Sequence, residues 1–347
     1  MNDLTVMVTA AGNQYMLGLA NCLKNNGERN IRLVGADMNY DPTILQMMDV
    51  MYQVPSAKDP QYIDCLLEIC EKEKVDIVIP VMSAELLPLI HNKERFRAVG
   101  TLISASNEES VHIANNKYRL YQFMKENGMY VPRFCKIQKA DELEAAFQYI
   151  GYPDVPVCIK ATELSGSRGI RIVDPTKSRF DILFGEKPNS FYITYDELNA
   201  ILHEKEEMPE MLVMEALTGE EFSVDLVADH GKILYMAARQ SNSITASIPM
   251  EATLFHDDEA YQIAEEVIAK LGLDGNADLD FRYDRYGKPV LMEINPRVAA
   301  TMRIFKEGGM NLPYLRIKQL LGENLPKCQI QTGIKMKRRY EEMFAGE

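Results

Sequence analysis

The chain has no stretch approaching the ~20 uninterrupted apolar residues that a membrane-spanning helix needs, so a helical anchor is not expected within its 347 residues. It opens Met1-Asn2-Asp3, without the basic start of a secretory signal, and runs straight into an apolar strand. Its six cysteines form no C-x-x-C pair and no Cys/His cluster at zinc spacing. Most of them sit in apolar stretches such as Val157-Cys158-Ile159, where a thiol packs as a small hydrophobe. Basic residues are the minority: 38 Lys and Arg against 51 Asp and Glu give a net charge of −13. That balance argues against nucleic acid as a partner, because phosphate binding needs a positive field at long range. An anionic ligand then needs a local pocket of backbone N–H groups and a few cations. Internal repeats and low-complexity runs are absent as well. These absences leave a soluble, reduced, cytoplasmic protein with neither membrane nor nucleic acid among its partners.

Hydrophobic residues make up 46% of the chain and charged residues 26%, the composition of a globular protein, and the length suits about two or three structural units. The first hundred residues alternate strand and helix: strands over 4–9, 31–36 and 75–80, helices starting after Gly12 and over 60–74 and 83–94. This rhythm implies a parallel sheet wrapped by helices, Rossmann-like in shape. Near residue 110 the pattern changes. A helix over 116–127 ends at Gly128, and strands are expected over 133–138, 155–160, 170–173 and 211–215. Residues 174–189 read as a loop and 196–207 as a charged helix. Strand 222–227 pairs with 232–238 across a turn at Asp229-His230-Gly231, and 281–283 pairs with 290–294 across a turn holding Asp284 and Gly287. Hairpins in place of crossovers mark an α+β region. The basic-then-acidic segment 335–342 reads as a solvated terminal helix.

Three groups of residues can carry chemistry. Val8-Thr9-Ala10-Ala11-Gly12-Asn13, with Asp37 ending the second strand, lacks two glycines of a dinucleotide fingerprint, and a tight strand-to-helix turn is the simpler reading. Ser165-Gly166-Ser167-Arg168-Gly169 is small and polar, so that its N–H groups, hydroxyls and Arg168 can converge on a phosphate. It follows a strand ending in Lys160, a cation for the same phosphates. The third group is Met292-Glu293-Ile294-Asn295-Pro296-Arg297, with Asp280 in the partner strand. Either a two-residue turn at Tyr286-Gly287 or a four-residue turn from Asp284 to Gly287 puts Asp280 and Glu293 on one face, which Asn295 joins. Two carboxylates and an amide oxygen suit Mg²⁺. Two further positions are candidates. Arg239, followed by Ser241 and Asn242, could bind an acceptor carboxylate. Glu85 follows the fourth strand, where helix-start acids are common.

Taken in order, Asn116-Lys117-Tyr118, Cys158-Ile159-Lys160, residues 165–169, Met214-Glu215-Ala216-Leu217-Thr218-Gly219-Glu220-Glu221-Phe222-Ser223 and residues 293–297 resemble the ATP-grasp superfamily, and within it one synthetase unit of the carbamoyl phosphate synthase large subunit. The resemblance implies an α/β and α+β architecture. A Rossmann-like pre-ATP-grasp domain (1–112) would precede a two-lobed ATP-grasp domain (113–330, small lobe about 130–212) and a charged tail (331–347). It also implies that Lys117 and Lys160 bind the α- and β-phosphates, and that Ser165, Gly166, Ser167, Arg168 and Gly169 form a mobile phosphate loop. Glu215, Ala216 and Leu217 would read adenine, and Glu221 would bond the ribose. Asp280, Glu293 and Asn295 resemble the ligands of magnesium, or of manganese in its place, and Arg297 a contact to the transferred phosphate. Two departures matter. The chain carries one synthetase unit without an amidotransferase signature, and the first metal position is Asp280, where the carbamoyl phosphate enzymes have Gln.

The expected chemistry is ADP-forming ligation: ATP activates a carboxylate as an acyl phosphate, and an amine displaces phosphate. The partners are then a small carboxylate and a small amine, and a homodimer is the common assembly of soluble enzymes. The alternatives are bicarbonate activation, as in the carbamoyl phosphate enzymes, and a nicotinamide-dependent oxidoreductase resting on the first domain alone.

Overall fold

The computed structural model describes residues 2–164, 166, 168–187, 190–245, 248–339 and 342–345. The chain divides into two compact units: Met1–His112 with Phe222–Asp280 and Ile294–Glu347, and Ile113–Glu221 with Phe281–Glu293.

The first unit opens with five parallel strands, β1 (Leu4–Thr9), β2 (Ile31–Asp37), β3 (Val50–Gln53), β4 (Ile77–Ile79) and β5 (Leu102–Ile103), in the order β3-β2-β1-β4-β5. Alternate side chains go to opposite faces, and here both faces are buried. Val6, Val8, Leu33 and Ile79 join one apolar cluster, while Met7, Val34 and Val78 join another. Covering both faces requires helices on both, as the near-continuous apolar runs of these strands imply. Helix Met16–Lys24 places Leu19 and Leu23 against the first cluster, and helix Tyr62–Glu73 places Tyr62, Leu66 and Ile69 against the second.

The second unit holds an antiparallel sheet of β6 (Phe134–Ile137), β7 (Val157–Ala161), β8 (Ile170–Val173) and β9 (Met211–Glu215), ordered β6-β9-β7-β8. Its core gathers Ile159 and Val213 with Phe147 and Ile150 of helix Leu143–Ile150. A third sheet contains β10 (Glu221–Asp229), β11 (Lys232–Thr245), β12 (Ile248–Phe255), β13 (Gly275–Tyr283), β14 (Pro289–Asn295) and β15 (Lys335–Lys337), in the order β14-β13-β10-β11-β12-β15. The turn between β10 and β11 is the expected one. His230 (φ 44°) and Gly231 (φ 89°) both occupy the left-handed region, as a tight hairpin turn requires.

Three expectations need correction. Residues 174–189 are not all loop, because Arg179–Gly185 is a helix, opened by a capping box in which the Ser178 N–H donates to Asp181 and the Asp181 N–H to Ser178 Oγ. The segment from Lys335 is not a helix. Its Lys-Met-Lys alternation adds β15 to the edge of β12, with Glu251 opposite Lys337. The turn after β13 matches neither expected length. The Asp284 N–H donates to the Lys288 carbonyl and the Gly287 N–H to the Asp284 carbonyl, leaving a three-residue loop with Gly287 at φ 79°. The Asp284 carboxylate sets this geometry by accepting from the Tyr286 and Lys288 N–H groups.

Candidate active site

In the second unit, Asn116 caps helix Lys117–Glu126 by accepting from the Arg119 N–H. The cap fixes Lys117 at the first helical position, where it is buried. Its Nζ donates to the Leu164 carbonyl at 3.1 Å and pairs with Glu293 Oε2 at 3.2 Å. Lys160 stands near the end of β7 with only 7% of its surface exposed. Among the described residues its ammonium has neither hydrogen bond nor ion pair. An ammonium held that dry costs free energy unless an anion joins it.

The small polar loop follows. Gly166 (φ 67°) and Gly169 (φ 71°) hold left-handed backbone, and Arg168 is exposed. Gly169 is also tight, since a Cβ there would come within 2.9 Å of the Ala161 Cβ. Ser165 and Ser167 lie outside the described residues. At the exit of β9, Arg133 Nε donates to Glu215 at 2.7 Å and the Ala216 N–H to the Pro156 carbonyl. Among the described residues the Leu217 N–H has no partner, which leaves a donor at the strand exit. Glu221 accepts from Arg282 at 2.6 Å. Between them, Gly219 lies against Tyr283, whose carbonyl oxygen would be 2.6 Å from a Cβ, so no larger residue fits without a backbone shift.

In the first unit, both oxygens of Asp280 are engaged: Ser223 Oγ donates to Oδ1 at 2.6 Å and Asn295 Nδ2 to Oδ2 at 3.2 Å. Asn295 ends β14 in this unit, and Glu293, two residues before it in the chain, belongs to the second unit. The Asp280 carboxylate and the Asn295 amide oxygen are hard oxygen donors of the kind Mg²⁺ takes. Arg297 is half-buried, donating to the Val298 carbonyl at 3.1 Å. Arg239 is placed differently from a substrate-facing arginine. It is 4% exposed, with Nε on Asp225 at 3.0 Å and Nη2 on Asp278 at 3.2 Å. Burial pushes the Asp225 carboxyl well above its usual range, against the pull of Arg239.

Glu85 and Asp37 serve the first sheet. Glu85 is buried and accepts from Thr9 Oγ1 (2.7 Å), Tyr62 OH (3.0 Å) and the Met82 N–H (3.1 Å). Asp37 accepts from the Gly12 and Asn39 N–H groups, which makes it a turn former. The thiols are apolar fillers, with burial pushing Cys22 and Cys70 up to about 12. Two residues were given no role from the sequence. Ser223 gave no signal beyond its place two positions after Glu221. Arg338 follows β15 and donates to the carbonyls of Pro249 and Ala300, both at 2.9 Å, which ties down the segment after Arg297.

Residues 6–104 match the family described as "PylC-like, N-terminal domain", and residues 207–342 match "ATP-grasp in the biosynthetic pathway with Ter operon". The carbamoyl phosphate synthase large chain of Thermoplasma acidophilum is 25% identical over 252 residues, covering 70% of this chain and 22% of that one. This chain thus spans about a quarter of the length of the carbamoyl phosphate synthase large chains it matches. Among solved structures, the ADP complex of N5-carboxyaminoimidazole ribonucleotide synthetase superposes with a TM-score of 0.66 at 16% identity, covering 96% of this chain and 80% of that one. The biotin carboxylase of Campylobacter jejuni gives 0.68 at 17%, covering 94% and 73%. No helix among the described residues is long and apolar enough to cross a membrane. The chain therefore resembles a PylC-like N-terminal domain over residues 6–104 and an ATP-grasp domain over residues 207–342, and it shares the fold of these solved structures.

Proposed function

We propose that this protein is an ADP-forming carboxylate–amine ligase. The observation that carries the reading is Lys160, a buried residue whose ammonium has no hydrogen bond or ion pair among the described residues, in the same unit as the small polar loop and Lys117. Such a cation is explained by a phosphate that arrives with the substrate. Lys117 and Lys160 then bind the α- and β-phosphates, and the N–H groups of residues 165–169 with Arg168 hold the terminal phosphate. The backbone of Glu215, Ala216 and Leu217 reads adenine, the unpartnered Leu217 N–H supplying a donor, and Glu221 takes the ribose. Asp280, Glu293 and Asn295 hold magnesium or manganese, which when bound offsets part of the phosphate charge.

This chemistry needs no side-chain nucleophile. A substrate carboxylate oxygen attacks the γ-phosphorus, the bond to the β–γ bridging oxygen breaks, and ADP leaves with that electron pair. An amine then attacks the acyl carbon; the carbon–oxygen bond to phosphate breaks, phosphate departs, and the amine loses a proton to solvent. Lys117, Lys160, Arg168 and Arg297 spread the charge of the transferring group, so positioning and electrostatics carry the rate. Ordering the loop over the phosphates excludes water from an acyl phosphate.

The match to carbamoyl phosphate synthase chains keeps bicarbonate among the carboxylates. The test is ADP release over a panel of carboxylates including bicarbonate, with hydroxylamine as surrogate amine. A hydroxamate identifies the activated acid. Absence of carboxylate-dependent ADP release across a broad panel, together with stabilisation by NADH alone, would refute the reading.

A further inference from the structure

Asp280 stands beside a buried ionic cluster on the same sheet. Two residues before it on β13, buried Asp278 accepts from Arg239 Nη2 at 3.2 Å. Two residues beyond Ser223 on β10, Asp225 is fully buried and accepts from Arg239 Nε at 3.0 Å. Arg239 itself stands on β11 directly opposite Ser223. Residues two apart on a strand share a face, so all five belong to one patch, and the guanidinium bridges three adjacent strands.

This patch gains the sheet little as a packing element. A buried ion pair is often no better for stability than apolar side chains of similar volume. Among the described residues, it also leaves Asp225 Oδ1 buried without a hydrogen-bond partner. What the planar fork provides, and a point charge does not, is the simultaneous placement of two carboxylates on two strands.

We propose that Arg239 is a positioning residue for the metal. By holding Asp225 and Asp278, it sets where Ser223 and Asp280 stand on the same two strands, and so orients the Asp280 carboxylate before a divalent cation arrives. Its fork is occupied inside the sheet, so it does not contact the acceptor carboxylate. The inference rests on Asp280, Glu293 and Asn295 being the metal ligands.

The test is Mn²⁺ binding to the full chain with a non-hydrolysable ATP analogue, read by electron paramagnetic resonance. Arg239→Gln is expected to weaken Mn²⁺ binding about tenfold or more, the usual effect of removing a group that orients a ligand. Arg239→Lys, which keeps the charge without the fork, recovers part of the loss. Binding of the analogue without metal stays within about twofold, since the nucleotide contacts lie elsewhere. The paired variant Asp225→Leu/Arg239→Met removes the ion pair without stranding Asp225, and it too is expected to fold and bind Mn²⁺ weakly. Mn²⁺ affinity within twofold of the parent in either folded variant overturns the proposal. Failure of both to fold also overturns it, by making the cluster a requirement of the sheet. A parent Mn²⁺ site lost in Glu293→Gln but kept in the Arg239 variants refutes only the role of Arg239. A parent with no nucleotide-dependent Mn²⁺ site, or a Glu293→Gln variant that keeps it, refutes the ligand assignment, and the proposal with it.

Discussion

Replacing Lys160 by methionine keeps the unbranched stem and its packing while deleting the ammonium. Without ligand, the residue is 7% exposed and, among the described residues, its ammonium has no partner. Deleting it removes a desolvation cost, so the ligand-free protein is expected to gain about 1–2 kcal/mol. That corresponds to about 4 °C in melting temperature per kcal/mol for a unit slightly above a hundred residues. With ATP the sign reverses. A charge-assisted hydrogen bond contributes about 1.5–3 kcal/mol, so affinity is expected to fall about 10- to 150-fold at 1.4 kcal/mol per decade. Lys117→Met is the control, because it separates Lys117 from Glu293, whose side chain is 34% exposed. It should therefore lower ligand-free stability by up to about 1 kcal/mol while also weakening ATP binding. Thermal melting with and without Mg-ATP, together with calorimetric titration, measures both quantities. A Lys160→Met protein that melts lower without ligand and binds ATP within twofold of the parent would show that Lys160 is structural, and the argument would fail.

Glu293→Gln is expected to fold, since the position is only half-buried, yet to lose at least about tenfold in Mg²⁺-dependent turnover, the minimum for groups around a metal; near-parental turnover in a folded variant contradicts the ligand role. Arg168→Ala should lower turnover more than ATP affinity, because the adenine contacts are assigned to residues 215–217; steady-state kinetics beside direct binding separate the two. In the first unit, burial opposes ionisation of Asp274, but hydrogen bonding and charge from Arg316 prevail and hold its carboxyl below the usual range. A depressed carboxyl stabilises the fold above about pH 4 and loses that contribution as pH falls further. Arg316→Met should cost about 3–5 kcal/mol at pH 7 and flatten the acid limb of the stability profile, whereas an unchanged limb would show that the pair contributes nothing there.

Much of the architecture was legible because local chemistry and tertiary structure agree. Strands β1, β2 and β4 are apolar on both faces, which only a helix-wrapped parallel sheet satisfies. The helix expected over 116–127 is present, with Asn116 as its cap, and His230-Gly231 turns the hairpin where two left-handed residues were available. The loop after β13 was missed because its length is set by the Asp284 side chain, and side-chain capture of the backbone competes with strand pairing in a way that periodicity does not reveal. The edge strand β15 was missed because three residues give too short an alternation to outweigh a charged composition. At the site, the candidate lysines and carboxylates could be named from type and order. The burial of Arg239 could not, because its partners sit on two other strands, at positions 225 and 278. A lone arginine after a strand reads the same whether it faces substrate or two aspartates. Ser223 was invisible for a similar reason, since its partner, Asp280, is 57 positions away.

The central claim is that a carboxylate oxygen is transferred to phosphate. Once hydroxamate formation has identified the acid, one turnover with that acid carrying ¹⁸O in both carboxylate positions tests it directly. Passage through an acyl phosphate puts one ¹⁸O into each phosphate released with the amide, visible by mass spectrometry or as an isotope shift in ³¹P resonance. Product formed with unlabelled phosphate, or AMP in place of ADP, would contradict the account.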